Sequence, residues 1–308
     1  MTEHHQSLAA TETDTAPPSG KWGDVWRQFT SHRGAMAGGI FFVFIVLAVI
    51  IGPSLWTIEP TYIDIRARNQ GLSLAHPFGT DQLGRDLLAR MLAGGQVSIA
   101  VGMTAMLLAL VLGTLIGVSA GYFPRLDGPL MRLTDLFLAL PLLPLLLVMV
   151  MLFREPLSSA LGPEQGIFIL IVGAIGITSW MPTARIVRGD VLAIKQREFV
   201  LAARSVGTSN GAMIRRHILP NTLSPIMVSA TLGIANAIIT ESSLSFLGLG
   251  FPPDFPTWGR ILFDATDYLQ QYPERVLWPG LAISLTVLSV NYLGDGLRDA
   301  LDPRIRGR

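Results

Sequence analysis

The sequence predicts an all-α membrane protein with six transmembrane helices, and three observations carry that expectation. Half of the 308 residues are hydrophobic and only 15% are charged, against about 25% charged in soluble domains, and the mean hydropathy is +0.48. Six stretches free of Asp, Glu, Lys and Arg, at 34–58, 91–124, 136–153, 165–184, 217–240 and 276–294, reach the ~17–25 residues that a helical span needs. Lys and Arg also alternate between the intervening loops. With the N-terminus placed in the cytoplasm, sixteen fall on the cytoplasmic side and seven outside, as the positive-inside rule requires. The even number of spans then puts both termini inside. The chain has no Cys, which excludes disulfides, thiolate metal sites and Cys nucleophiles.

Taken in order, residues 1–20 are polar and acidic, without a basic stretch leading into an apolar core. They read as a disordered cytoplasmic tail rather than a signal peptide, and His4-His5 is too short to claim as a metal site. Residues 21–95 hold the first span and an outer amphipathic segment, GRDLLARMLAGGQ, whose Leu87, Leu88, Met91 and Leu92 share one face and lead into span two. Residues 96–297 form a core of five spans, with a cytoplasmic loop at 185–222, and 298–308 form a cytoplasmic tail. The run 242–253 is too short to span, and its GLG and PP punctuation reads as the exit from a helix. Asp135 sits at the cytoplasmic start of span three, within reach of Arg132. Glu241 lies 18 residues beyond Leu223, about 27 Å at 1.5 Å per residue, and so near the outer interface. No carboxylate, Lys or Arg falls at mid-membrane. Ion-coupled transporters use such groups as relays, so the pattern counts against a stand-alone secondary transporter or channel. No acid/base, metal or nucleophile constellation lies in the spans, so the chain is not read as an enzyme.

The loop contains EFVLAARSVGTSNGAMIRRHILPN, residues 198–221. Phe199, Ala202, Ala203 and Val206 recur at helical spacing. Gly207 fits a helix C-terminus, and Thr208, Ser209 and Asn210 are N-cap candidates for a second helix. Met213, Ile214, His217 and Ile218 form that helix's apolar stripe, with Arg215 and Arg216 pointing elsewhere and a break near Pro220. The expectation is two short helices with a bend, offering a narrow apolar ridge on the cytoplasmic side. Such a ridge fits a partner groove or lies on anionic lipid; the pattern alone leaves both open.

The stretch resembles the E-A-A-x3-G-x9-I-x-L-P motif of permease subunits in ATP-binding-cassette importers. Leu201, Ala202 and Ala203 stand at the E-A-A positions, Gly207 at the glycine, and Leu219-Pro220 at the end. Leu201 replaces Glu and His217 replaces an apolar residue, but RHILPN is similar to the ending used by the dipeptide/oligopeptide/nickel subgroup. HPFGTDQLGRDLLARML (76–92), RLTDLFLALP (132–141), ESSLSFLGLG (241–250) and LGDGLRDALDPRIRG (293–307) resemble further blocks of its C-type permease, in order. The resemblance runs from about residue 21 to 308.

It implies a type I importer permease (MetI-like) fold in the inner membrane, with cytoplasmic coupling helices seated in a cleft of an ATPase. The coupling residues carried over or flanking the motif are Leu201, Ala202, Ala203, Gly207, Thr208, Ser209, Met213, Ile214, His217, Leu219 and Pro220. The implied partners are a homologous permease, two ATP-binding subunits, an extracytoplasmic solute-binding protein and membrane lipid, with no nucleic acid. No cofactor belongs to this chain, which lacks a G-x-x-x-x-G-K-[ST] phosphate loop; ATP and Mg are bound by the partner ATPases. The solute is expected to be a peptide or similar, with nickel complexes, glutathione or other small solutes as alternatives. LAGGQ (92–96) mimics an ATPase signature but precedes a span on the outer side, so its small residues are read as easing helix packing. Pathway candidates are Asn236, Thr240, Ser242, Ser284, Ser289 and Asn291, though residues of this kind in a span more often make an interhelical hydrogen bond than a ligand contact. Residues 59–90 and 251–260 face the binding protein. Glu241 and Trp258 are outer-gate candidates, against a packing role for Glu241 and an interfacial anchor for Trp258.

Overall fold

The computed structural model describes residues 21–301, and among them every regular element is helical. The 1–20 tail with His4-His5, and residues 302–308, lie outside the described residues. Helix α1 (Lys21–Ser31) is followed at once by the first span, α2 (Arg33–Leu55). His32 is its N-cap, accepting the Ala35 N–H on Nδ1 at 3.0 Å, which satisfies one of the donors a helix start leaves free. The second span is α3 (Leu87–Tyr122), capped by Asp86, whose carboxylate accepts from Ala89 N at 2.7 Å.

The amphipathic segment and span two are therefore one helix of 36 residues, about 54 Å long at 1.5 Å per residue. That exceeds the roughly 30 Å hydrocarbon core, so α3 is longer than one crossing of that core requires. No proline interrupts it, and its glycines serve packing rather than termination.

Elsewhere prolines cut the expected spans. Span three begins inside α4 (Pro124–Ala139) and continues, after a break at Leu140-Pro141, as α5 (Leu142–Leu161). Leu140 is extended, at φ −74°, ψ 137°, as the residue before a proline prefers. The fourth span is a pair, α6 (Pro163–Thr178) and α7 (Met181–Ile194), bent by 41°; Pro182 stands in the first turn of α7, where its missing N–H does no harm. The loop holds α8 (Glu198–Ser205) and α9 (Asn210–Met213), then a π-helical turn (Ile214–Ile218) and a 3₁₀ turn (Leu219–Asn221). The fifth span, α10 (Leu223–Phe246), starts after Pro220, later than 217, and carries Glu241 within it. A short outer helix, α11 (Trp258–Thr266), has no counterpart among the expected elements. Finally, α12 (Glu274–Leu301) continues through Arg298. Among the described residues, five helices are each long and apolar enough to cross a membrane, and six if the bent pair is one span.

The bundle is built around α3. On its C-terminal half Gly113, Gly117 and Gly121 face α7. A Cβ there would fall 2.7 Å from the Trp180 carbonyl, 2.6 Å from the Ala184 carbonyl and 2.8 Å from Val191 respectively. Small residues in a row let two backbones touch, which is how helices associate where lipid tails compete for apolar side chains. The first span leans on the last in the same way, Gly38 of α2 lying against the Ser289 carbonyl of α12. Higher up, Val101 and Ala105 of α3, Ile171 and Ile175 of α6, and Leu244 of α10 close a buried core. Phe44, Leu107 and Met151 are exposed, as expected of side chains presented to lipid or to another subunit.

Candidate coupling loop, cavity and outer cap

The loop at 185–222 is anchored from behind. Val200, Met213 and Ile218 are fully buried, in a cluster with Tyr122 of α3, Val187 and Val191 of α7, and Ile226 of α10. The Tyr122 hydroxyl donates to Asn210 Oδ1 at 2.8 Å. Lys195, just past α7, donates from Nζ to the Gly121 and Tyr122 carbonyls, both at 3.0 Å. Burial, then the Arg204 charge, pushes its ammonium below the usual lysine value. Two ion pairs brace α4 on α7: Arg188 grips Asp127 through both oxygens, with Nη2 to Oδ2 at 2.7 Å, and Arg185 pairs with Asp135. Asp135 thus pairs with Arg185, across the helix interface, rather than with its neighbour Arg132. The hydrogen bond from Arg188 holds the Asp127 carboxyl below the usual carboxylate range.

The bend falls where the glycine predicts it. Gly207 has φ +81°, the Gly207 N–H donates to the Arg204 carbonyl at 3.0 Å and the Thr208 N–H to the Ala203 carbonyl at 3.1 Å. These two bonds are a Schellman closure, with the left-handed residue one past the cap. Ser209 is the N-cap of α9, though its side chain makes no capping bond.

Outward, the loop shows Phe199, Leu201, Ala202 and Val206, the last 83% exposed. Ala203, Thr208, Ile214, His217 and Leu219 are half-buried, and Pro220 is exposed. The ridge is therefore made by α8 alone. The stripe expected to extend it, with Met213 and Ile218 at its centre, turns inward because those side chains fill the space between α3, α7 and α10. A 6.5 Å ring contact joins His217 to Phe199.

A cavity of about 460 Å³ opens between α3, α4, α5, α7 and α10, at the level where both the α4–α5 break and the α6–α7 bend occur. Asn236 and Thr240 line it, with Met106, Phe137, Thr178, Ser179 and Ser229, and no charged residue is among its walls. Thr183 and Ser229 share a 2.6 Å hydrogen bond in its floor. The other pathway candidates are elsewhere. Ser242 borders a separate groove with Phe246 and Ile283, and Ser284 is exposed on α12. Ser289 is buried against α2, its hydroxyl donating to the Leu285 carbonyl, and Asn291, half-buried, is likewise not part of the cavity wall. The helical register turns that side of α12 toward the first span, which a reading by span cannot show.

The outer-gate candidates are core residues. Glu241 is 0% exposed, taking hydrogen bonds from Ser98 at 3.0 Å and Ser245 at 2.8 Å. Trp258 is equally enclosed: its indole N–H donates to the Met91 carbonyl at 3.0 Å and its backbone N–H to Ser98 Oγ at 3.2 Å. Neither faces an opening. Together they knot α3, α10 and the start of α11, where Gly94 and Gly95 of LAGGQ admit Thr257 and the Trp258 ring.

Beyond this knot lies a cluster that the sequence reading did not find. Buried Arg85 bonds Asp81 at 2.6 Å, and buried Arg90 approaches Asp264 of α11 at 3.3 Å. Arg260 meets Asp264 at 3.0 Å, and Arg275 donates to Asn69 at 2.9 Å. Burial raises the Asp264 carboxyl above the usual range, against the opposing pull of Arg260, Arg90 and Arg85. His76 and Trp56 both bond the Asp86 carboxylate, at 2.8 and 3.0 Å. The density of Asp and Arg in TDQLGRDLLAR was the available signal; nothing local identified Asp264 as its partner.

Fold and sites together define a multi-span subunit of a membrane transporter, with no assembled catalytic group among the described residues. The chain belongs to the family of binding-protein-dependent transport system inner membrane components, whose family model matches residues 109–307. The N-terminal transmembrane domain of oligopeptide transport permease C matches residues 20–74. Among curated relatives, the dipeptide transport system permease protein DppC of Alkalihalophilus pseudofirmus is 37% identical, over 99% of both chains. The oligopeptide transport system permease protein OppC of Bacillus subtilis is 38% identical over 92% of this chain and 90% of its own. The glutathione transport system permease protein GsiD of Escherichia coli is 41% identical over 93% and 91%. A solved amino acid ABC transporter with histidines aligns with 69% of this chain and 92% of its own, at 16% identity and a TM-score of 0.48. The chain is thus a multi-pass inner-membrane permease rather than an enzyme, in a class of transport system that works with an ATPase, a binding protein and a second permease.

Proposed function

We propose that this chain forms half of the translocation pathway of an ATP-driven importer for peptides or similar small solutes, and that it couples to ATPases through loop 185–222. The assembly is one homologous permease partner, two ATP-binding subunits carrying ATP and Mg, and one extracytoplasmic binding protein, with both termini of this chain cytoplasmic. The observation that carries the reading is the two-sided build of the loop. Its inner side is locked by Tyr122, Lys195, Val200 and Met213, while Phe199, Leu201 and Val206 stand exposed on the outer side. A lever needs both properties: a face for a motor to hold and a rigid root. A lipid-surface loop needs only the first.

The uncharged cavity at Asn236 and Thr240 suits passage of a solute selected elsewhere. Dipeptides, oligopeptides and glutathione, named for the relatives, all carry peptide-like amide groups, which favours peptides over nickel complexes.

Reconstituted complexes in sealed vesicles test this by uptake of a labelled dipeptide. Uptake is expected only with ATP. Val206→Asp and Ala202→Asp, on the exposed face, are expected to cut uptake about tenfold or more and to weaken ATPase co-purification, with unchanged thermal stability. Ala203→Asp should lower the unfolding temperature as well, because Ala203 packs on the inner cluster. Full uptake by Val206→Asp at equal abundance would remove the coupling role, and nucleotide-independent uptake on an ion gradient would replace the importer reading.

A further inference from the structure

We propose that Asn236 reads the amide linkage of the solute inside the cavity between α3, α4, α5, α7 and α10, so that this subunit adds a selection of its own for peptide-like solutes. The inference rests on the importer reading above and names the chemistry recognised in its passage.

Hydrogen-bonding capacity on the cavity wall can be followed group by group. The polar side chains there are Thr178, Ser179, Thr183, Ser229, Asn236 and Thr240, and none is charged. Thr178 donates to the Ala174 carbonyl and Thr240 to the Asn236 carbonyl, both at 2.8 Å and one turn back on their own helices. Thr183 and Ser229 are buried and hold each other at 2.6 Å. That leaves the Ser179 hydroxyl and the Asn236 carboxamide, whose side chains bond nothing among the described residues. Of the six, Asn236 alone is exposed. The interhelical hydrogen bond expected of a polar residue in a span is therefore not made by Asn236, and its carboxamide is open to a solute.

A carboxamide carries two N–H donors and a carbonyl acceptor in one plane. Another amide is its complement: Nδ2 donates to a peptide carbonyl while Oδ1 accepts the peptide N–H. Much of the remaining wall is apolar, Met106, Phe137 and Leu145 included, and in such surroundings a hydrogen bond is stronger than in water. The charged ends of a peptide find no counter-ion on this wall, so the linkage between its residues is what the wall can recognise. The volume of about 460 Å³ falls within the roughly 300–1,000 Å³ of small-molecule sites.

The test uses the complete complex in sealed vesicles with its binding protein and ATP. Uptake of labelled dialanine is compared with that of its ester analogue, in which an oxygen replaces the peptide N–H, each at a concentration that saturates the binding protein. Wild type is expected to carry dialanine about threefold to tenfold faster, the worth of one hydrogen bond. Asn236→Ala and the near-isosteric Asn236→Leu are expected to carry both at the slower, ester rate, still driven by ATP. Both variants should keep the wild-type unfolding temperature, because the carboxamide bonds nothing within the protein. A preference for dialanine that survives in the variants would overturn the proposal, as would equal rates in wild type; either result leaves the importer reading standing. Loss of all uptake in both variants would equally overturn it, since the ester passes the wild-type cavity without that N–H. No ATP-driven uptake of dialanine by wild type would remove the importer reading and this inference with it.

Discussion

Gly207 shows how one residue can carry an element's direction. Its φ of +81° is open to glycine and costs other L-residues about 1–2 kcal/mol, while no neighbour within 4 Å would meet an added Cβ. Gly207→Ala should therefore cost only that backbone strain and leave partial transport. Gly207→Pro forbids the positive φ and removes the N–H that closes on Arg204, so ATP-driven uptake should vanish at unchanged membrane abundance; uptake in vesicles, with the amount inserted measured by immunoblot, separates the two. Normal uptake by the proline variant would mean that the bend has no mechanical role. Glu241 teaches the converse. A carboxylate near the outer end of a span invites a gating role, yet Ser98 and Ser245 hold it inside the bundle. Its partners come from another helix and from the next turn of its own, so its sequence neighbourhood resembled that of an exposed residue.

At the scale of elements, α3 is the axis on which the other helices are mounted. Its glycine row against α7 belongs to the helix pair rather than to any single residue. Gly117→Leu would force a side chain into the Ala184 carbonyl and Val187, and overpacking of this kind typically costs about 1–3 kcal/mol. The expected result is a lower unfolding temperature of the detergent-purified subunit and loosening of the whole cytoplasmic end, since α7 leads directly into the loop. Gly128→Leu, at a glycine with nothing within 4 Å, is the matched control and should leave stability unchanged. Equal unfolding temperatures for the two variants would show that the α3–α7 contact is not limiting. The same row gives α8 the fixed root that the proposed coupling role requires, because α7, which leads into it, is packed on α3.

Over the whole molecule, two ends are organised by opposite devices. The end that carries the loop is braced by partly exposed ion pairs such as Arg188–Asp127, which are individually weak. The opposite end is closed by buried ones, where Arg90 at 2% exposure faces Asp264, 174 positions away in sequence. Arg90→Ala removes a buried guanidinium that faces both Asp264 and Asp81, and although Arg260 and Arg85 stay beside Asp264, the buried packing and attraction are lost. Arg90→Ala should therefore destabilise the subunit far more than Arg185→Ala, whose pair with Asp135 is half exposed. Thermal unfolding of both variants under the same conditions checks this, and a reversed order would mean that the outer cap is not a structural closure.

The sequence by itself determined the fold class, the apolar runs that form the long helices, and the kinked loop with its glycine. Each depends on local physics: a run of apolar residues has no alternative in a membrane but a helix, and a left-handed turn has no cheaper residue than glycine. Only the tertiary structure decided which face each helix turns to its neighbours. It moved Met213 from the ridge to the interior, placed Ser289 outside the cavity wall, buried Glu241 and Trp258, and paired Arg90 with Asp264. In a chain that is apolar almost everywhere, hydrophobicity no longer tells inside from outside, so the choice of face rests on close packing between helices that only three dimensions bring together.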